Sequence, residues 1–166
     1  MDRTIAPWLY GEYMAFLIQR WKYAGQTRLT PLLAQLWLQR ATTAHVDLLV
    51  PVPMHWSRRW RRGYNQAELL CRALHRTHPQ LADRVASRLV RRNRPTAAQS
   101  GMDARSRNLN VRNAFTLQDR CDKLRVAIVD DVYTTGATAR ALSRALREAG
   151  AVHVEVWCVA RTPAPV

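Results

Sequence analysis

Two adjacent carboxylates, Asp130 and Asp131, stand shortly before a run of small and hydroxyl-bearing residues, Thr134, Thr135, Gly136, Ala137 and Thr138. Carboxylates accept hydrogen bonds from vicinal hydroxyls and can hold the water shell of a magnesium ion. Gly136 admits backbone angles closed to other residues, so the loop can turn its amide N–H groups inward, where the three threonines add hydroxyl donors. A phosphate fits such a loop, and a helix starting there adds the positive end of its dipole. A sugar phosphate satisfies both halves at once, with ribose hydroxyls on the acids and the 5'-phosphate among the threonines. The bland alternative is a buried strand whose acid caps the next helix. A cap needs one acid and one hydroxyl, whereas this stretch has two acids and three threonines in register.

The flanking residues supply the elements that must position this chemistry. Residues 126–129, Val-Ala-Ile-Val, are too short for a helix and too apolar for an exposed edge, which predicts a buried strand ending at the two acids. From near Thr138, Ala139, Leu142, Leu146 and Ala149 repeat at helical spacing, with Arg140, Arg144 and Arg147 on the other face. Gly150 ends that helix, and residues 152–160 read as a further strand.

A second strand spans residues 47–53, Asp-Leu-Leu-Val-Pro-Val-Pro. Pro51 and Pro53 cannot donate ladder hydrogen bonds, so the strand must end there in a constrained loop. That loop is basic, with His55, Arg58, Arg59, Arg61 and Arg62. Asn65-Gln-Ala-Glu68 forms a capping box, predicting a helix over 66–77 with Leu69, Leu70, Ala73 and Leu74 buried. Basic side chains between a strand end and a helix start are placed to hold a second anion. Either they do so, or some of them form a solvated turn.

Residues 87–91 read as a short strand, and a polar stretch from 93 to 102 follows, with Pro95 and Gly101. A short helix through Asn108 and a strand over 111–117 come next. A basic loop of this length can close over a substrate and exclude water, with Arg94, Gln99, Arg105, Arg107 and Asn108 as its contacts. At the start of the chain, 8–23 reads as an amphipathic helix with Leu9, Tyr13, Phe16, Leu17 and Trp21 inward. Thr30-Pro31 then starts a second helix, with Leu32, Leu33, Leu36 and Trp37 inward. Both are expected to pack on the sheet rather than build a site. A parallel sheet connected by helical crossovers places its ligand outside the carboxyl ends of the strands, with 53–63 and 130–138 on one rim.

The 166 residues suit one ordinary domain with a sizeable core, and 48% hydrophobic content excludes a disordered chain. Cys71, Cys121 and Cys158 are scattered, without a Cys-x-x-Cys pair or paired histidines at metal spacing, which argues against a zinc site and a disulfide framework. No signal peptide or span of transmembrane length is visible, so a cytoplasmic location is expected. Net charge is +14, and of 26 basic residues only Lys22 and Lys123 are lysine. Between His55 and Arg112 fourteen arginines face three acids, Glu68, Asp83 and Asp103, a belt suited to polyanions.

Residues 126–138 resemble the phosphoribosyl pyrophosphate binding signature of type I phosphoribosyltransferases. Residues 45–161 are similar to one branch of that superfamily, the ComF family of competence-associated proteins. The likeness is carried by Val50-Pro-Val-Pro53, Arg62-Gly-Tyr-Asn-Gln-Ala-Glu68, Gln99, Arg105, Asn108, the run Asn110-Val-Arg-Asn-Ala-Phe115, and the loop from Asp130 to Thr138. It implies an α/β fold, a type I phosphoribosyltransferase-like parallel sheet flanked by helices. Residues 1–44 would form a small N-terminal helical cap on a domain of residues 45–166.

The resemblance implies phosphoribosyl pyrophosphate as substrate or ligand. Magnesium would be held through that ligand near Asp130 and Asp131. Pro53, His55, Arg58, Arg59 and Arg62 would hold the pyrophosphate, residues 134–138 the 5'-phosphate, and Gln99, Arg105 and Asn108 a flexible loop. Asp130, Asp131 and Arg58 would be catalytic, in transfer of the phosphoribosyl group with inversion and loss of pyrophosphate, or the pocket would act as a sensor. Purine salvage members carry an acid where Thr134 stands, so purine salvage is not expected. Many relatives begin with a four-cysteine zinc module, which this chain lacks, and zinc is not expected. The competence link also implies DNA-processing partners and a second reading, an accessory protein binding single-stranded DNA. There Trp56 and Trp60, interleaved with arginines, either stack on bases or belong to the core.

Overall fold

The computed structural model describes residues 1–93 and 114–163, so the loop contacts Arg94, Gln99, Arg105, Arg107 and Asn108 lie outside the described residues. At its centre is a parallel six-stranded sheet ordered β1-β8-β7-β3-β4, with β2 also paired to β8. Its strands are β1 (Arg3–Ile5), β2 (Trp8–Leu9), β3 (Val46–Pro51), β4 (Ala82–Val85), β7 (Arg125–Tyr133) and β8 (His153–Arg161). β5 (Val90–Arg92) and β6 (Phe115–Leu117) form a separate antiparallel pair.

Strand alternation sorts the apolar side chains into two cores. Ala127 and Val129 of β7 face helices α1 (Glu12–Tyr23), α2 (Thr30–Arg40) and α4 (Gln66–Thr77), in a core holding Trp21, Trp37 and Trp157. On the other side Val126 and Ile128 meet α5 (Ala137–Glu148) through Ala139, Leu142 and Leu146, beside the β5–β6 pair. With both faces covered, β3 and β7 are near-continuous apolar runs, as a buried parallel sheet requires.

The central strands form where the sequence reading places them, although β7 runs on through both acids to Tyr133 and β3 stops at Pro51, and the periphery differs in several places. The first helix begins at Glu12 rather than residue 8, because Trp8–Leu9 pairs with Ala160–Arg161 on the sheet edge. Its buried residues are Met14, Ile18 and Trp21, whereas Leu9, Tyr13 and Phe16 are exposed. Both faces of this helix are apolar, so periodicity could not choose between them. The choice follows Trp21, whose Nε1 donates to Thr30 Oγ1 at 2.9 Å inside the core. Thr30 consequently makes no cap. Leu29 holds that position without a side-chain bond, and α2 turns Leu33, Ala34 and Trp37 inward while Leu32 is exposed.

The basic loop contains a short helix, α3 (Trp56–Arg62), capped by His55, whose ring accepts from Ser57 N, and stopped by Gly63 at φ 82°. No residue of α3 is buried, so it left no hydrophobic period to read. β4 likewise escapes notice because Asp83 and Arg84 are exposed on a sheet edge. By contrast, α4 begins and ends where the capping box predicts, with Asn65 Oδ1 accepting from Ala67 N at 3.0 Å. Its Leu70, Ala73 and Leu74 are buried, and Leu69 is half-buried.

β3 passes through α3 and α4 to β4 on one side, while β7 passes through α5 to β8 on the other. The two connections leave in opposite directions and cover opposite faces. A crevice therefore opens between the carboxyl ends of β3 and β7, the place where open α/β sheets receive ligands.

Candidate functional site

β7 continues past Val129 to Tyr133, because β8 runs beside it in register, pairing Asp130 with Cys158 and Val132 with Ala160. The two acids thus belong to the strand rather than following it, and successive strand residues point to opposite faces. Asp131 turns toward the α1 and α4 layer and is 5% exposed. Its Oδ1 accepts from Lys22 Nζ at 2.7 Å and Val132 N at 2.6 Å, and its Oδ2 accepts from Gln66 Nε2 at 2.7 Å.

Asp130, half-buried, has a different setting. Among the described residues its side chain receives one hydrogen bond, from Asp131 N at 2.9 Å. Burial, then the neighbouring Asp131 charge, pushes its carboxyl up to about 7, against the Asp131 amide, Lys22 and Arg92. A carboxyl so raised carries a charge that the surroundings compensate incompletely, which is typical of groups that await a ligand.

Asp130 stands where two hollows meet. One, of about 60 Å³, is lined by Thr134, Thr135, Gly136, Ala137 and Thr138. Gly136 sits at φ 71°, a backbone angle that favours glycine, and a Cβ there would push aside the ends of the Tyr133 and Arg140 side chains. Thr135 Oγ1 accepts from Ala137 N at 3.4 Å, and Arg140 donates to Thr135 O at 2.8 Å, holding the loop at the start of α5. That helix begins one residue before the expected Thr138.

The second hollow, of about 200 Å³, is lined by Lys22, Pro53, Arg58, Arg62, Arg92 and both acids, among others. Arg62 donates to Gln66 Oε1 at 2.6 Å and lies 5.1 Å from the Tyr23 ring centre. Burial, then the nearby Arg58, lowers the Arg92 guanidinium, while Asp130 raises it. Val52, Asp130 and Thr138 line both hollows, which makes them two compartments of one trough.

Of the residues predicted for the basic loop, Pro53, Arg58 and Arg62 reach the trough. His55 is buried as the α3 cap, and Arg59 lies 3.7 Å from Glu68 Oε2, with neither lining the trough. Lys22, Gln66 and Arg92 were missed. Lys22 left one faint signal, as one of two lysines in an arginine-rich chain. Gln66 was visible as part of a capping box and of the Arg62–Glu68 run, neither of which gave it a place in the site. Away from the trough, His45 Nε2 pairs with exposed Asp83 at 3.2 Å, and Asp47 lies close to both.

Fold and site together define an α/β protein with a two-compartment trough, one part hydroxyl-rich and the other lined by arginines, at the switch point of its sheet. No family model matches the chain. Competence protein F of Haemophilus influenzae is 37% identical over 96% of this chain and 73% of its own length. The DNA utilization protein YhgH of Salmonella typhi is 38% identical over 97% of this chain and 73% of its own. Competence protein ComFC of Bacillus subtilis is 29% identical, covering 85% of this chain and 56% of that protein. The chain belongs to this ComF family of competence and DNA utilization proteins. A solved structure, a purine phosphoribosyltransferase from Pyrococcus horikoshii, matches all of this chain and 98% of that one with a TM-score of 0.42 and 13% identity. Among the described residues no helix is long and apolar enough to cross a membrane.

Proposed function

We propose that the trough binds phosphoribosyl pyrophosphate and transfers or senses its phosphoribosyl group, in service of competence or DNA utilization. One observation carries this reading: a hydroxyl-rich glycine loop and a cluster of cations lie on either side of one raised carboxylate. The ligand has the same order of groups, with a monophosphate at one end, a vicinal diol in the middle and a diphosphate at the other. The threonine loop and the first turn of α5 would take the 5'-phosphate, Asp130 the ribose hydroxyls, and Arg58, Arg62 and Arg92 the diphosphate.

Transfer would break the bond between the anomeric carbon and the diphosphate oxygen, which leaves with the electron pair, while a nucleophile forms its bond on the opposite face. The transition state has oxocarbenium character, so stabilising the leaving group matters more than a strong base. Arginines gathered beforehand in one compartment, with Arg62 held by Gln66, are suited to that role. Magnesium, carried on the ligand's own oxygens near Asp130, would supply further charge neutralisation. Calorimetric titration with phosphoribosyl pyrophosphate and magnesium tests the reading. Saturable binding at one site is expected, and its absence sinks the proposal.

A second reading, single-stranded DNA binding, is favoured by the exposure of Trp56 (73%) and Trp60 (85%). One helical turn apart on α3, they offer stacking faces beside exposed Arg58, Arg59 and Arg61. Replacing both tryptophans by alanine is expected to weaken binding of a fluorescent oligothymidylate by roughly tenfold or more, from the loss of two stacked bases. Affinity of the intact chain is expected to fall steeply with salt. A flat salt dependence, or an unaffected double variant, would discard α3 as the contact.

A further inference from the structure

We infer that Lys22 is a positioning residue: it neutralises Asp131 and, with Gln66, commits that carboxylate to the fold, so that Asp130 alone meets the sugar. The inference rests on the sugar-phosphate reading for its ligand, while the division of labour between the acids comes from the geometry. Adjacent strand residues face opposite layers, and the two layers here differ in what they offer. Toward α1 and α4, Asp131 finds an ammonium and an amide. Asp131 borders only the arginine compartment, whereas Asp130 lines both compartments of the trough.

Both oxygens of Asp131 are occupied. A ribose hydroxyl could bond there strongly only by displacing Lys22 or Gln66, or by sharing an oxygen that already accepts. The Lys22 and Asp131 side chains are 18% and 7% exposed, so water replaces such partners poorly. Gln66 adds a second constraint, since its Oε1 accepts from Arg62 while its Nε2 donates to Asp131. The chain of contacts from Lys22 through Asp131 and Gln66 to Arg62 therefore ties the N-terminal helix to the arginine end of the trough.

Without Lys22, a buried negative charge would stand beside the place proposed for an anionic ligand. The expected penalty is electrostatic and acts through Asp131, which separates this role from direct phosphate contact by Lys22. The two make opposite predictions for a double variant. If Lys22 acts through Asp131, removing both charges recovers most of the affinity that removing Lys22 alone loses. If Lys22 grips phosphate, the loss persists.

The test compares the wild type with Lys22→Met, Lys22→Arg, Asp131→Asn, Asp130→Asn and the double variant Lys22→Met, Asp131→Asn. Each is titrated with phosphoribosyl pyrophosphate and, separately, with inorganic pyrophosphate, both with magnesium, and thermal melting checks folding. Lys22→Met is expected to weaken binding about tenfold, as one unneutralised charge near an anion would. Lys22→Arg should retain binding, the double variant should recover most of the loss, and Asp131→Asn should lose less than Asp130→Asn. A folded double variant as weak as Lys22→Met overturns the inference, as does Asp131→Asn losing as much as Asp130→Asn. If only inorganic pyrophosphate binds the wild type, the sugar reading fails, and Lys22's role is judged by the same order of affinities with that probe. If neither binds, both fail.

Discussion

Asp130→Asn is expected to weaken sugar-phosphate binding strongly and at the same time make the protein more stable. The loss follows from replacing a charged acceptor of hydroxyls with a neutral amide, roughly one to two orders of magnitude in affinity if one such bond is lost. The gain follows from the electrostatics. Asp130 is raised from an ordinary 3.8 to about 7 by burial and by the Asp131 charge. Between these values the folded protein retains a proton that the unfolded chain has released. Its contribution to stability is therefore present below about pH 4 and lost as pH rises through the folded value near 7. At pH 8 the carboxylate penalty is on the order of 2–4 kcal/mol, from roughly three pKa units.

Urea denaturation of the two proteins from pH 4 to pH 8 checks this. The stability difference should be near zero at the acid end and grow in favour of Asp130→Asn toward pH 8. A variant no more stable than the wild type at pH 8 would show that the charge is well compensated in the free protein. Ligand binding belongs to the same picture. Under the proposed function, hydroxyl donors brought by the ligand would offset the penalty that burial places on the Asp130 charge.

Trp157→Ala is expected to have the largest effect on folding. Trp157 lies on β8, fully buried, with its ring 5.0 Å from that of Trp37 on α2. Its Nε1 donates to Glu155 Oε2 at 2.8 Å. Truncation leaves a large cavity, about 3–5 kcal/mol, and strips a donor from a buried carboxylate, about 1–3 kcal/mol more. Against the roughly 5–15 kcal/mol that holds a typical domain together, this would unfold much of the protein at ambient temperature. Circular dichroism in a urea series measures it, and a cost below about 2 kcal/mol would mean that the core closes over the gap.

Trp157→Phe isolates the hydrogen bond from the volume. Burial raises the Glu155 carboxyl, but hydrogen bonds from His153 and Trp157, the His153 charge and Thr43 outweigh it and leave the group below its ordinary value. Its stabilisation is thus present above about 4.5 and lost as pH falls through the lower folded value. Without the indole donor that folded value should rise, and acid unfolding should begin at a higher pH than in the wild type. An unchanged acid limb would assign the effect of Trp157 to packing alone.

By itself the sequence determined the central strands, the start and end of α4 and the threonine loop, because each carries a local signature. A buried parallel strand must be apolar throughout, Asn65 must satisfy a free helix amide, and Gly136 must stand where the backbone turns to a positive φ. Family membership was legible for the same reason, since Val50–Pro53, Arg62–Glu68 and Asp130–Thr138 keep their spacing along the chain.

What only the tertiary structure decided is which way each acid faces and what it meets there. Read as a string, Asp130-Asp131 is one pair. In the fold the strand runs on to Tyr133, held by β8, and its alternation sends the second acid to the opposite layer. There it meets Lys22, 109 positions earlier in the chain, and Gln66, 65 earlier. No local pattern announces such a meeting. It depends on which face of α1 packs inward, and that was settled by Trp21 finding Thr30 in the core rather than by any periodicity of the helix itself.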